Sequence, residues 1–470
     1  MGYALKRISF CIWAGLFCLF NASAAETSSS SEKASSPLDP DFKRFTAEKR
    51  ALAKRLGEKH GDAVPQTVWG FFDAAQQGDW ETTSNLFCTI EAGTGRRVRN
   101  PWMRLTFWGA IHETFGAYEQ FHSWNAQMLH RFGDSIIQKI PAGSIYFGGT
   151  DAGRFVVSAL SVSHTEGRPF FTVTQNGLAD NSYLDYLRDI YGGKIYVPTA
   201  DDSQRLFQDY LADAQKRQEK NQLKEDEHVE VVSNRVQVSG LVAVMAVNEL
   251  LCKCIIEKNP SREIYLEESY SLESLYAQSV PHGLIFKVKH EKMKELPGQI
   301  VAADHRFWTD ECRSLIGNAV KERGSVGELC AWTERVFMHP NADRFEGSRA
   351  YLKDKQAPQY WSQCRSAIAG YYEWWSKNSE KSQRTNLNEE ADFAFRQSVA
   401  LFPFNPSVAW RYTQFLMKNQ RTNDAKVLID ATLRMEPEKR MDIDSDQLKG
   451  ALKKLQDAAK RLSADGGKKA

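Results

Sequence analysis

The residues best suited to chemistry lie in three polar runs, each just after a short apolar stretch. The first is Gly148-Gly149-Thr150-Asp151, with Arg154 one turn later; the second is Gln175-Asn176, followed by Asp180; the third is Glu267-Glu268. Paired glycines let the backbone turn tightly, and Thr150 is placed to cap a helix whose free N–H groups suit an anionic or hydroxylated ligand. Arg154 would add a planar guanidinium that grips phosphate or carboxylate through two hydrogen bonds. Asp151 would repel a bare phosphate, so a sugar or a cation fits the run better. Glycoside hydrolysis commonly needs a carboxylate pair, which Asp151, Asp180, Glu267 and Glu268 could supply. Carboxylates alone specify no reaction, and the same residues make ordinary helix starts and turns. The three runs are therefore ligand-binding candidates, and no catalytic residue is assigned.

Other reactive patterns find no support. The chain has no G-x-G-x-x-G after its first strand, no P-loop and no G-x-S-x-G elbow, which removes the usual signs of dinucleotide, nucleoside triphosphate and serine-nucleophile chemistry. His282, His290 and His305 lack the i, i+4 spacing of helical metal ligands. Asp304-His305 and His112-Glu113 are expected at the surface or as caps, and neither a metal nor a cofactor is expected. The formal net charge of +2 is close to balanced, so nucleic acid is not an expected partner. Cys252-Lys253-Cys254 lacks the two-residue gap of redox and zinc motifs. The cysteines beyond the N-terminal segment read as buried free thiols, with Cys312 and Cys330 the first pair to test for a disulfide.

The polar runs need elements to hold them. Ser144 to Phe147, Phe170 to Val173, Lys194 to Val197, Glu263 to Leu266 and Leu284 to Val288 read as short strands. Arg154 to Val162, Tyr183 to Tyr191, a long charged helix capped by Asp202-Ser203, and Val236 to Glu257 read as helices between them. This alternation predicts an α/β domain over 140–290, with a mostly parallel sheet in Rossmann-like layers. Ligands would gather at the carboxyl ends of its strands. Residues 42–139 are expected to be helical and to pack on that domain, and 291–357 to form a helical connector.

The C-terminal part carries an internal repeat. Ala391, Phe395, Leu401 and Pro403 recur as Ala425, Ile429, Met435 and Pro437, at the tetratricopeptide period of 34 residues. Tyr371, Trp374 and Trp375 recur as Tyr412, Phe415 and Leu416 at a different offset, which places an insertion in the first copy near Ser379 to Asn388. An all-α, tetratricopeptide-like domain is thus expected over 358–451, followed by a C-terminal helix and frayed tail over 452–470. Such repeats hold protein partners, and Tyr371, Trp374, Trp410 and Tyr412 are the partner-binding candidates. Core packing of the helices competes with that role for the aromatic residues.

The first residues read as an export signal. Lys6 and Arg7 are followed by an apolar run from Ile8 to Phe20 and by Ala22-Ser23-Ala24, which predicts cleavage near Ala24-Ala25 and an extracytoplasmic, periplasmic location. The run is short for a spanning helix. Residues 26–41 are rich in serine and read as a flexible linker.

The stretch from Pro141 to Asp151 (PAGSIYFGGTD), with Gly153-Arg154-Phe155, Thr174-Gln175-Asn176, Leu178-Ala179-Asp180 and Ile195-Tyr196-Val197-Pro198-Thr199, resembles the soluble region of a bacterial family of polytopic membrane proteins. That family has no assigned function and is similar to protein O-mannosyltransferases. Gln237 to Asn248 and Pro281 to Phe286 fit the same region, and the resemblance runs from about Trp102 onward. In some members tetratricopeptide repeats follow, as they are expected to here. The family's membrane half, where transferase carboxylates would lie, has no counterpart in this chain, so no catalytic residue carries over. The resemblance implies a role beside envelope glycosylation, as a module binding a saccharide or an acceptor, with a membrane protein as one class of partner. A periplasmic glycosyl transferase or hydrolase is the alternative.

Overall fold

The computed structural model describes residues 38–92, 107–224, 227–232, 235–338, 345–441 and 446–466. The expected signal peptide, most of the linker and the last four residues lie outside them. Helix α1 (Pro40–His60) starts where Asp39 accepts the Asp41 N–H and Pro40 pre-sets the backbone. It ends at Gly61, whose φ of 72° is the left-handed conformation glycine adopts without penalty. Its buried face carries Phe42, Phe45, Leu52 and Leu56; burying one such phenylalanine contributes roughly 1.5–3 kcal/mol. This face packs on α2 (Gln66–Gln77) and α4 (Trp108–Ser123), with α3 (Trp80–Ala92) and α5 (Ala126–Ile137) completing the N-terminal layer.

Strand β1 (Ile145–Gly148) leads through a wide helical turn at Ala152–Val156 into α6 (Val157–Leu160). Then follow β2 (Phe171–Thr174), α7 (Asn181–Tyr191), α8 (Ala200–Glu219), the hairpin β3 (His228–Val232) and β4 (Arg235–Ser239), and α9 (Leu241–Lys258). Strand β5 (Ile264–Leu266), α10 (Glu273–Tyr276), β6 (Ser279–His282) and β7 (Ile285–Val288) complete this part. Five strands form one sheet in the order β2-β1-β5-β7-β6. Ile145 pairs in parallel with both Phe171 and Ile264, and all of β1 is buried, as its unbroken apolar run requires.

The expected mostly parallel sheet is corrected here. Only β2, β1 and β5 run parallel; β7 and β6 are antiparallel to their neighbours. The cause is local. Strands β6 and β7 are joined across Gly283-Leu284, with Gly283 at φ 73°, and so short a link can only reverse the chain. Two further expectations change. Lys194 to Val197 is not a strand of the sheet; Ile195 makes one isolated bridge, to Gly192. The run from Val236 to Glu257 is not one helix, because Arg235–Ser239 is strand β4 and Gly240, at φ 107°, turns the chain before α9 begins.

The remainder is helical: α11 (Gly298–Ile316), α12 (Val326–Met338), α13 (Arg349–Lys353), α14 (Ala357–Asn378), α15 (Lys381–Leu401), α16 (Pro406–Lys418), α17 (Thr422–Arg434), α18 (Pro437–Arg440) and α19 (Asp446–Gly466). Helix α14 packs along α15, and α16 packs against both α17 and α19. The matched residues Ala391, Ala425, Phe395 and Ile429 are all buried. One continuous apolar core runs from Leu52 in α1 to Ala431 in α17. The sheet and the C-terminal helices share it: the Tyr371 ring lies 5.3 Å from Phe286 and 5.5 Å from Tyr276. The fold is thus mainly helical around a small mixed sheet. No described helix is long and apolar enough to cross a membrane.

Candidate functional site

The carboxyl ends of β1, β2 and β5 bring most of the singled-out residues together. Glu267, just past β5, is fully buried, and its Oε2 accepts the N–H groups of Gly149 and Thr150, each at 2.7 Å. These are the free N–H groups of the turn that opens the helical stretch after β1. The protein's own carboxylate therefore occupies the place an anionic ligand would take. Thr150 caps that stretch as its position suggested, its Oγ1 accepting the Gly153 N–H at 2.9 Å. The glycines serve close approach rather than an unusual turn. A Cβ on Gly149 would collide with the Glu267 carbonyl and the Gln175 side chain, and one on Gly153 would collide with the Glu267 carboxylate.

From β2 comes a second layer. Asn176 donates through Nδ2 to the Gly149 carbonyl at 3.0 Å and accepts the Ser269 hydroxyl at 3.0 Å. Gln175 accepts the Ser269 N–H at 3.4 Å. Asn248, on α9, closes the knot: it accepts the Ala179 N–H at 2.7 Å and donates to the Asn176 carbonyl at 3.2 Å. Two buried polar atoms in this knot stay unpaired, Gln175 Nε2 and Glu267 Oε1. Burial raises the Glu267 carboxyl above its ordinary pKa, against the opposing pull of the two N–H groups.

The other candidates are committed separately. Arg154 forms an ion pair with Asp151 at 2.6 Å and lies over the Phe155 ring. His112, on α4, is pushed down to about 4 by burial and by the nearby Arg154 cation. Asp180 caps α7, accepting the N–H and hydroxyl of Ser182, each at 2.8 Å. Glu268 accepts the Tyr276 hydroxyl at 2.9 Å, leaving its Oε2 buried and unpaired. Burial pushes its pKa up to about 8, with Arg411 and Tyr276 pulling the other way.

Two buried charge clusters lie where surface or capping groups were expected. Glu113 is not a surface group: its Oε2 pairs with the fully buried Lys49 and accepts the Tyr186 hydroxyl at 2.7 Å. His164 Nε2 lies 3.3 Å from the same oxygen. Burial alone would raise the Glu113 carboxyl; Lys49 and His164 overcome it and hold the group well below the usual range. Asp304 is likewise buried, with Arg365 at 2.9 Å and the Tyr372 hydroxyl at 2.8 Å. Removing one partner of such a pair costs about 3–5 kcal/mol, so these clusters lock helices together. The sequence carried a signal for both. Lys49 interrupts the apolar stripe of α1 between Phe45 and Leu52, and Asp304 interrupts that of α11 between Val301 and Trp308.

Among the partner-binding candidates, Tyr371 and Tyr412 are buried. Their hydroxyls donate to the Ser279 carbonyl at 2.6 Å and to Asp392 at 2.9 Å. Trp410 packs at the edge of the Ala409–Ile429–Leu455 cluster, and Trp374 is partly exposed on the wall of a groove. The cysteines among the described residues are free thiols; Cys312 and Cys330 are buried and unbridged, and only Cys88 of them is exposed. Asp39, Asp41 and His130 form one carboxylate–imidazole group. Asp39 is taken up by His130 at 2.8 Å and by the α1 cap, and Asp41 by Arg44 at 2.9 Å.

Comparison with known proteins finds no match: no family model, curated protein or solved structure aligns with this chain.

Proposed function

We propose that the protein is an exported, non-catalytic envelope module that binds a saccharide or other small polar ligand and holds a protein partner on its C-terminal helices. The observation that carries this reading is the commitment of the strand-end carboxylates. Glu267 is bound to the Gly149 and Thr150 N–H groups, Asp151 to Arg154, Asp180 to the start of α7, and Glu268 to Tyr276. Paired acid–base work needs two carboxyl groups facing a substrate, and these four each face a partner of their own. The leader-like stretch from Lys6 to Ala24 supports export. The likeness to the soluble part of a mannosyltransferase-related family supports a place beside envelope glycosylation, and the tetratricopeptide-like spacing supports a protein partner.

One observation favours the alternative, a periplasmic glycosyl transferase or hydrolase. Glu268 keeps its proton near neutrality, as a general acid must. The two readings separate in one experiment. The purified chain is titrated calorimetrically with methyl glycosides and, in parallel, incubated with nitrophenyl glycosides. Binding without release of nitrophenol supports the binding module. Release that disappears in Glu268→Gln replaces it with the enzyme.

A further inference from the structure

A groove of about 440 Å³ runs between α9, α10 and α14, within the ~300–1,000 Å³ that small-ligand sites occupy. Its floor is apolar, with Ile256 and Leu275 buried, and Trp374 stands partly exposed on its wall. The indole is held by two perpendicular ring contacts, to Tyr276 at 5.8 Å and to Trp375 at 5.2 Å. Tyr276 is fixed in turn by its hydrogen bond to Glu268. The result is a rigid aromatic wall that does not need to be ordered by a ligand, which lowers the entropic cost of binding.

The rim is polar and balanced. Lys253 and Glu257 from α9, Glu273 from α10 and Lys292 beyond β7 supply two cations and two anions, so the groove has no net charge with which to draw in a phosphate or a polycation. Lys253 is 3.9 Å from Glu249, which also accepts the Ser274 hydroxyl. The side chains of Glu257 and Glu273 are exposed and make no hydrogen bond or ion pair among the described residues.

From this arrangement we infer that the groove is a binding site for a neutral saccharide. A pyranose ring has an apolar C–H face and a rim of hydroxyls that both donate and accept. The C–H face stacks on Trp374; Glu257 and Glu273 accept hydroxyl hydrogens, and Lys253 and Lys292 donate to hydroxyl oxygens. The inference rests on the binding-module reading but places the ligand away from the strand ends, in a site that reading did not include.

The test uses the full chain with methyl α-glucoside, methyl α-mannoside and N-acetylglucosamine as probes, read by saturation-transfer NMR and calorimetry. At least one probe binds the unmodified protein, and inorganic phosphate does not. Trp374→Ala weakens that binding by roughly tenfold or more, the loss expected of an aromatic anchor. Since Trp374 also packs on Tyr276, a second variant carrying Glu257→Gln and Glu273→Gln keeps the core untouched; it melts as the unmodified protein does and binds several-fold more weakly. Equal binding in all variants overturns the groove and leaves the saccharide-binding reading in place. No binding of any probe to the unmodified protein overturns both.

Discussion

The carboxyl ends of β1, β2 and β5 and the groove beside Trp374 are built from similar residue types, yet their polar groups face opposite ways. At the strand ends, Glu267, Gln175, Asn176 and Ser269 turn toward one another around Gly149. In the groove, Glu257, Glu273 and Lys292 turn toward solvent around a fixed indole. Two adjacent residues divide the regions. Successive residues of an extended chain point to opposite sides, so Glu267 reaches the turn after β1 while Glu268 reaches Tyr276, whose ring braces Trp374. Glycines and a capping threonine therefore mark a place where a hydrogen-bond acceptor is held, and the protein itself can supply that acceptor.

The largest expected effect tests the residue between the two regions. The Glu268 carboxyl titrates at about 8 in the folded chain, against an ordinary 4.5. The native state thus keeps a proton that the unfolded chain has released. Its contribution to stability is full below the unfolded value and is lost as pH rises toward the folded one, by roughly 1.4 kcal/mol for each unit in that window. Urea unfolding between about pH 5 and about pH 8 should show Glu268→Gln losing less stability than the unmodified chain as pH rises. The difference between the two isolates Glu268, because His112, held at about 4, gives an opposite slope up to its ordinary 6.5. An unchanged slope in the variant would mean that Glu268 is not held neutral.

Next is Gly153→Ala, which drives a methyl group into the Glu267 carboxylate. Thermal unfolding should register a loss of roughly 1–3 kcal/mol, as overpacking does; a neutral outcome would mean that the strand-end knot has slack and room for a guest. Asp180→Ala should cost about 1 kcal/mol through the α7 cap alone and leave sugar binding unchanged. Smallest of all, Lys292→Ala should shift stability by no more than ~0.5 kcal/mol, since its side chain is exposed. If it destabilised the protein as much as Gly153→Ala, the contrast between a closed region and an open one would fail.

Much of the fold was legible in the sequence where short-range patterns decide it. Ile145-Tyr146-Phe147 and Phe171 to Thr174 became strands, and Asn181–Tyr191 became a helix. Long-range pairing was not legible. Strand β6 contains Pro281, which is tolerated because β6 lies at the sheet edge, and no local pattern gives a strand's position in a sheet. Val236 to Glu257 read as one helix because Val236 and Val238 are apolar; their alternation with Arg235, Gln237 and Ser239 was the strand signal. The meeting of Gly149, Gln175, Asn176 and Glu267 was foreseeable from parallel strand ends. Asn248 was not, because it arrives from a helix about 70 residues further along the chain. The identity of the group filling the turn also depended on side-chain reach, which spacing alone does not contain.

Glu267 has a consequence for how the molecule meets its surroundings. A turn whose N–H groups are already taken by a built-in carboxyl group has no need of an ion from the medium. Exchanging chloride for sulfate or phosphate should leave that part of the fold neither tightened nor loosened, and buffer ions should not masquerade there as bound substrate. At this point the chain is self-sufficient: the composition of the fluid around it, in whatever compartment it works, does not enter the chemistry of its strand ends.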